Sequence, residues 1–434
     1  MKKKTAILLC VSLGLSSLYG CQNKTAATAV PEQETAAATA QPEEQAEKEN
    51  TVYDRSQVYG SVILQDGEEI SGGTYTAEET DESVIEISAS ASATVTGSLL
   101  KKEKGDASNA DASSFQGVNA AVRVYDDAEL TLKDCAIEAS ADNATGVFSY
   151  NGGTIHISDS TVNVTGGGAG GIQVAGGGIL YAEDLIVTSA SKAAIRSDKG
   201  GGLLVVDGGT YTSTGKNGCP AIYSTAEIQV SDATLISENS RAVIIEGKNS
   251  VALTDCDLYG NDQSTKEGSV RANVLLYQSA SGDASEGTSS FSATGGSITS
   301  YSGAMFYCTN TASVIDLKDT HLVLSDDGTL LIISTGRWGK DDQNGGDCTF
   351  NATDQILEGT VLVDSISSLR LNLVNSSFTG SVESEGEVSV TLDENSTWTL
   401  TADSYITSFE GDAANVISNG YTLYVNGVAL TGTN

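Results

Sequence analysis

From about residue 52 onward the hydrophobic pattern has two nested periods. Within short stretches apolar and polar residues alternate, as in Leu130-Thr131-Leu132, Ile155-His156-Ile157, Ile228-Gln229-Val230 and Val251-Ala252-Leu253. Alternation of two predicts strands with one buried face. Each stretch ends on Asp, Asn or Gly, and a further apolar residue stands three positions later: Asp134 before Ile137, Asp159 before Val162, Asp232 before Leu235. Asp184, Gly208, Asp255, Gly295 and Asp319 repeat the arrangement, and looser copies fall at Gly72, Gly97, Asp354, Asn375 and Asn395. The steps between these anchors are 25, 37, 25, 25, 24, 24, 23, 40, 24, 35, 21 and 20 residues. A period near 24 with strand alternation inside it predicts a solenoid of short strands.

Each unit carries a second apolar strand upstream of its anchor, such as Ala121–Val124, Gly171–Val174, Ala221–Tyr223 and Ala242–Ile245. The helix-forming half and Asn ladder of leucine-rich repeats are missing, and nothing recurs at nine residues as in calcium-binding nonapeptide repeats. The expected fold is all-β, a single-stranded right-handed parallel β-helix of about 13 rungs. At one strand spacing per rung it would extend about 60 Å. Only three prolines occur, in keeping with interior strands that must donate every ladder hydrogen bond. Glycine runs at 166–168, 176–178 and 200–202 suit tight corners. The final segment, Tyr421–Gly427, reads as a hairpin in a cap that begins near residue 400.

The first 51 residues lack this pattern. Residues 1–20 have a basic start, Lys2-Lys3-Lys4, then an apolar stretch to Leu18 that is short for a membrane span. Leu18-Tyr19-Gly20-Cys21 resembles the bacterial lipoprotein signal, which implies cleavage before Cys21 and lipidation of that residue. Residues 21–51, rich in Ala, Thr, Glu and Gln, cannot bury a core and read as a disordered tether. The expected location is the cell surface, held to the membrane by lipid alone.

Charge narrows the function. Lys and Arg number 23 against 57 Asp and Glu, a net of −34. Loss of the three leader lysines gives 20 − 57 = −37. Such a balance argues against nucleic acid as a partner and against docking on anionic lipid. Two histidines leave little for a His-based metal site. The folded part has five cysteines, 135, 219, 256, 308 and 348, without C-x-x-C spacing. Cys135 and Cys256 share a repeat position but lie five rungs apart, so buried reduced thiols are expected.

The repeat resembles the pectate-lyase-like β-helix proteins. Stretches such as Ile195–Gly202 and Val243–Ser250 resemble, more narrowly, bacterial β-helix surface lipoproteins and adhesin-like proteins. That likeness implies fold rather than activity, since this fold hosts lyases, hydrolases and adhesins alike. Glycosidase members of the likeness use G-H-G and R-I-K motifs, but His156 stands between two isoleucines and His321 precedes Leu322. Lyase-type elimination would need a basic residue facing calcium held by acids; Arg123, Arg196 and Arg241 lie on or beside upstream strands, with no acidic set tied to them by spacing. The Asp anchors would either bind calcium along the coil or serve as turn residues. No catalytic set emerges, so a non-enzymatic surface protein is expected, one that binds a glycan or a host or cell-wall partner. The alternative is a carbohydrate-active enzyme, a polysaccharide lyase or glycoside hydrolase.

Long steps mark insertions, and loops on a rigid scaffold carry function. Residues 101–119 and 259–271 leave one corner; residues 279–290 and 336–347 leave another. The last contains Arg337, Trp338, Lys340, Asp341, Asp342, Asn344 and Asp347, a ligand-binding set in which the indole would stack on sugar C–H faces. Asp341, Asp342 and Asp347 are weak candidates for a calcium ion. Tyr125, Tyr150 and Tyr223 are expected at one shared repeat position.

Overall fold

The chain divides into two units, Met1–Val52 and Tyr53–Asn434. A computed structural model describes residues 60–434 except 217, 266 and 267. The leader, Cys21, the tether and the first residues of the repeat therefore lie outside the described residues.

The second unit is a parallel β-helix. Its strands form three long sheets, each rung as far as His321–Val323 adding one strand to each in turn. The first sheet has 15 strands, from Gly60–Ile63 to Val416–Ile417; the second has 14, from Glu68–Ser71 to Ser408–Glu410; the third has 10, from Thr74–Thr76 to His321–Val323. Every pairing among these three sheets is parallel. The anchors end the second-sheet strands, and the fourteenth strand, Ser408–Glu410, falls in the expected cap.

Alternation builds the core directly. Ile155 pairs with Leu130 and Leu180, and Ile157 with Leu132 and Ala182, so like residues stack from rung to rung. All six are buried. Ile137, Val162, Val187, Tyr211 and Leu235 do the same in the third sheet. Burying each such side chain contributes about 1.5–3 kcal/mol.

The anchors are corners. Asp134, Asp159, Asp184, Asp232, Asp255, Asp319, Asp354 and Asn375 all have φ between 49° and 54°, and the glycine anchors Gly72, Gly97, Gly208 and Gly295 lie between 57° and 71°. Left-handed backbone is costly except for Gly, Asn and Asp, which explains why only these three types occur there. The conformation points each corner N–H at the next rung: Asp134 N donates to Ser158 O (3.2 Å), Asp159 N to Glu183 O (3.1 Å), Asp184 N to Asp207 O (2.9 Å) and Gly208 N to Ser231 O (2.9 Å). Asn395 does not belong to this ladder. The strand Glu387–Leu392 ends on Asp393, whose carboxylate accepts from Asn375 N, so the side chain replaces the missing carbonyl. After each of the other anchors a single residue completes the corner, a buried side chain in every rung except those of Gly73, Gly209 and Gly296. Cys135 and Cys256 occupy that place, with Ser160, Thr320 and Ser376 in equivalent rungs; the cysteine thiols donate to Val95 O and Val230 O. All five cysteines of the folded part are free and buried.

The last steps shorten to 21 and 20 residues because one corner disappears. Ile356–Val363 and Ser377–Ser384 are eight-residue strands that run on without a break between the places of the third and first sheets. Gly359, at φ 109°, carries the bend. The third sheet consequently stops at His321–Val323. The chain ends in an antiparallel hairpin, Leu423–Val425 with Val428–Ala429, turned by Asn426 and Gly427 at positive φ.

Candidate ligand-binding face

The first sheet differs from the other two. Its strands Val122–Tyr125, Val243–Glu246, Ala272–Tyr277 and Ala304–Thr309 are buried at every residue, whereas second- and third-sheet strands alternate. Their outward side chains are covered by the insertions, which leave from both corners flanking this sheet.

The first insertion contains a short helix, Ala110–Gln116, capped by the Asn109 side chain and by Gly117 at φ 71°. Arg123 Nε donates to Gln116 O (2.9 Å), Gln173 Nε2 to Ser114 O (2.9 Å) and Lys192 Nζ to the Ser114 hydroxyl (2.6 Å). Seven residues are too few for a helical period to emerge from the sequence. On the opposite side, residues 279–290 and 336–347 close over the later rungs.

One outward column runs the length of the sheet. Register places Glu86, Arg123, Phe148, Gln173, Arg196 and Tyr223 in successive rungs, and continues through Ile244, Leu275, Tyr307, Ile332 and Leu362 to Glu383. Tyr125 and Tyr150 pair with each other in the neighbouring column, two residues further along the strand. The expected three-tyrosine position is therefore corrected: Tyr223 stands with Arg196, because the corner after Ile222–Ser224, leading to the strand Glu227–Ser231, is shorter and shifts the count back from the anchor.

The arginines have acidic partners that spacing concealed. Arg123 NH1 lies 3.9 Å from Glu86 Oε2, Arg196 NH2 2.7 Å from Asp198 Oδ2, and Arg241 Nε 3.1 Å from Asp262 Oδ2. Arg196 grips Asp198 through Nε as well, at 3.0 Å, and its guanidinium lies 4.5 Å over the Tyr223 ring. The Tyr223 hydroxyl donates to Glu246 Oε2, as does that of Tyr277 at 2.8 Å, while Ser279 from the third insertion donates to Glu246 Oε1. Burial works against the Arg196 cation, but the neighbouring Asp198 carboxylate and Tyr223 outweigh it and raise its pKa. Burial also pushes the Tyr223 hydroxyl well above the usual tyrosine value, with Tyr277 and Glu246 adding to the effect. Neither group supplies a base near neutral pH.

The Trp338 loop is tied down from within. Buried Asn344 donates from Nδ2 to Gly336 O and Trp338 O, both at 2.8 Å. Asn310 links this loop to the neighbouring one, its N–H donating to Asn344 O (3.1 Å) and its Nδ2 to Gln278 O (2.8 Å). The half-buried Trp338 ring sits 4.4 Å from the Tyr277 ring, and the Arg337 guanidinium lies 4.5 Å over it. Part of the expected sugar-stacking surface is thus occupied by Arg337. Lys340, Asp341 and Asp342 are exposed. Asp347 belongs to the strand Asp347–Thr353, where Oδ1 accepts from Arg370 NH1 (2.9 Å) and Ser368 Oγ (2.7 Å). Among the described residues no three His, Cys, Asp or Glu side chains come together to hold a metal ion. His156 lies on the second sheet, half-buried and stacked on Tyr181 at 4.9 Å.

No protein-family model matches the chain, and no curated protein is significantly similar to it. The geometry of this face therefore carries the functional argument.

Proposed function

We propose that this chain is an exported surface protein of pectate-lyase-like build, anchored by lipid at Cys21, that binds a glycan of a host or cell-wall partner without cleaving it. The observation that carries this reading is the convergence of insertions from both flanking corners on one face of the coil. There they bring Arg337 and Trp338 beside Tyr277, close to the Arg196–Asp198 and Tyr223–Glu246 pairs. Aromatic rings beside fixed polar groups suit sugar recognition, where ring faces meet C–H groups and polar atoms read hydroxyls. Arg196, held as a cation, serves as a hydrogen-bond donor. The test is a glycan and polysaccharide array probed with and without calcium. Trp338→Ala should lose at least tenfold in affinity for any ligand found while keeping its melting temperature; unchanged affinity would remove this loop from the site.

One observation favours a carbohydrate-active enzyme instead: two carboxylates, Asp198 and Glu246, stand on the same face with hydrogen-bonded tyrosines between them. New reducing or unsaturated ends from any bound polysaccharide would establish that reading. Bound but uncleaved polymer would exclude it.

A further inference from the structure

We propose that the trough beyond the Trp338 loop is a subsite for a hexosamine bearing a free amine. The inference rests on the glycan-binding reading and names the sugar chemistry. The trough, of about 780 Å³, lies where the insertions end and the first sheet becomes open. Such a volume falls within the roughly 300–1,000 Å³ of ligand pockets.

Its parts have distinct roles. Ile332 and Leu362, from the column described above, form an apolar floor with Val363. Tyr405 makes a wall; the residue is 47% exposed, and its ring is backed by that of Tyr424, stacked at 5.1 Å and nearly parallel at 6°. A ring held from behind presents its other face at little entropic cost, and an aromatic face suits both pyranose C–H groups and an ammonium. The rim carries Asp364, Glu383, Glu385 and Asp403, and no lining residue is a cation. Asp364 is fixed by the Thr335 N–H (2.7 Å) and Asp403 by the Thr422 N–H (2.8 Å). Glu383 and Glu385 are exposed, and among the described residues their side chains have neither a hydrogen bond nor an ion pair. The carboxylates do not converge on a metal-binding geometry. The complement to an apolar floor, one open aromatic face and carboxylates free to pair is a sugar ring with a cationic substituent. Uronic acids would be repelled, and N-acetylation would remove the charge.

The experiment is calorimetric titration of the full-length protein at pH 6 with glucosamine oligomers, set against their N-acetylated counterparts and neutral glucan oligomers of equal length. The expected result is at least tenfold tighter binding of the free amine, weakening as salt rises. Tyr405→Ala and the double variant Glu383→Gln/Glu385→Gln should each abolish that preference with melting temperatures unchanged. Equal affinity for acetylated and free-amine oligomers overturns the subsite while leaving glycan binding intact. Free-amine binding that survives both variants is diffuse attraction to an acidic surface and also overturns it. Failure of every sugar on the array removes the broader reading and this one with it.

Discussion

The corner aspartates show how backbone conformation selects a residue type. Asp232 has φ 51°, and its N–H donates to Thr254 O at 3.0 Å. Asp232→Gly should change stability by less than about 0.5 kcal/mol, because glycine adopts this conformation freely. Asp232→Val should cost about 1–2 kcal/mol, since a β-branched side chain clashes there. Urea denaturation distinguishes the two. A second test concerns Tyr211, wholly buried in the third-sheet stack, whose hydroxyl approaches the Leu185 backbone but makes no well-formed hydrogen bond among the described residues. Leaving such a group unsatisfied costs about 1–3 kcal/mol, so Tyr211→Phe should raise the melting temperature or leave it unchanged. The corners were legible from the sequence because their chemistry is local. The acid partners of Arg123 and Arg241 were not, because Glu86 lies a rung earlier and Asp262 sits in an insertion.

The helix Ala110–Gln116 and the Trp338 loop are held by few bonds, and each has its own test. Lys192 supports the helix from beneath. Burial, reinforced by Arg196, lowers its pKa from 10.5 to about 8, against the pull of Asp198, Asp111 and Cys219. The unfolded chain therefore binds more protons between about pH 8 and 10.5, so this residue makes stability rise with pH across that window. Lys192→Met should flatten the rise and stabilise the protein at pH 7, by on the order of 1–3 kcal/mol if the lost Ser114 contact is minor. A stability–pH profile identical to the parent's would refute the assignment. For the other insertion, Asn344→Ala removes both bonds that hold the Trp338 backbone. It should red-shift tryptophan emission and open the loop to trypsin at Arg337 and Lys340, with the coil's melting temperature nearly unchanged. Sequence spacing located these insertions but not their direction. Which way a loop folds depends on contacts such as Asn310 with Gln278 and Trp338 with Tyr277, which lie one and two rungs apart.

The coil as a whole behaves as a stack of nearest neighbours, and its stability is a sum of rung and interface contributions. Its last rung needs a cover, because an open strand edge recruits other chains. The hairpin Leu423–Val425 with Val428–Ala429 supplies one by pairing in parallel with Ser404–Ile406. A chain ending at residue 418 should keep its β-sheet circular dichroism yet form oligomers in light scattering; a monomeric product would show that the hairpin has another purpose. The fold class was readable because thirteen near-copies of one pattern reinforce each other. The shift late in the chain to two-cornered rungs was visible only as shorter steps, since nothing local marks a corner that has vanished.

The corner between second and third sheets spans two residues in every rung from Gly72 to Asn375, while the other two corners range from a few residues to long insertions. One seam is closed and two are open. Register is thus counted afresh at each closed corner, not along the chain. A change of loop length at an open seam is erased before the next strand is laid down. Such a molecule can acquire, lengthen or exchange its surface loops without relearning how to fold.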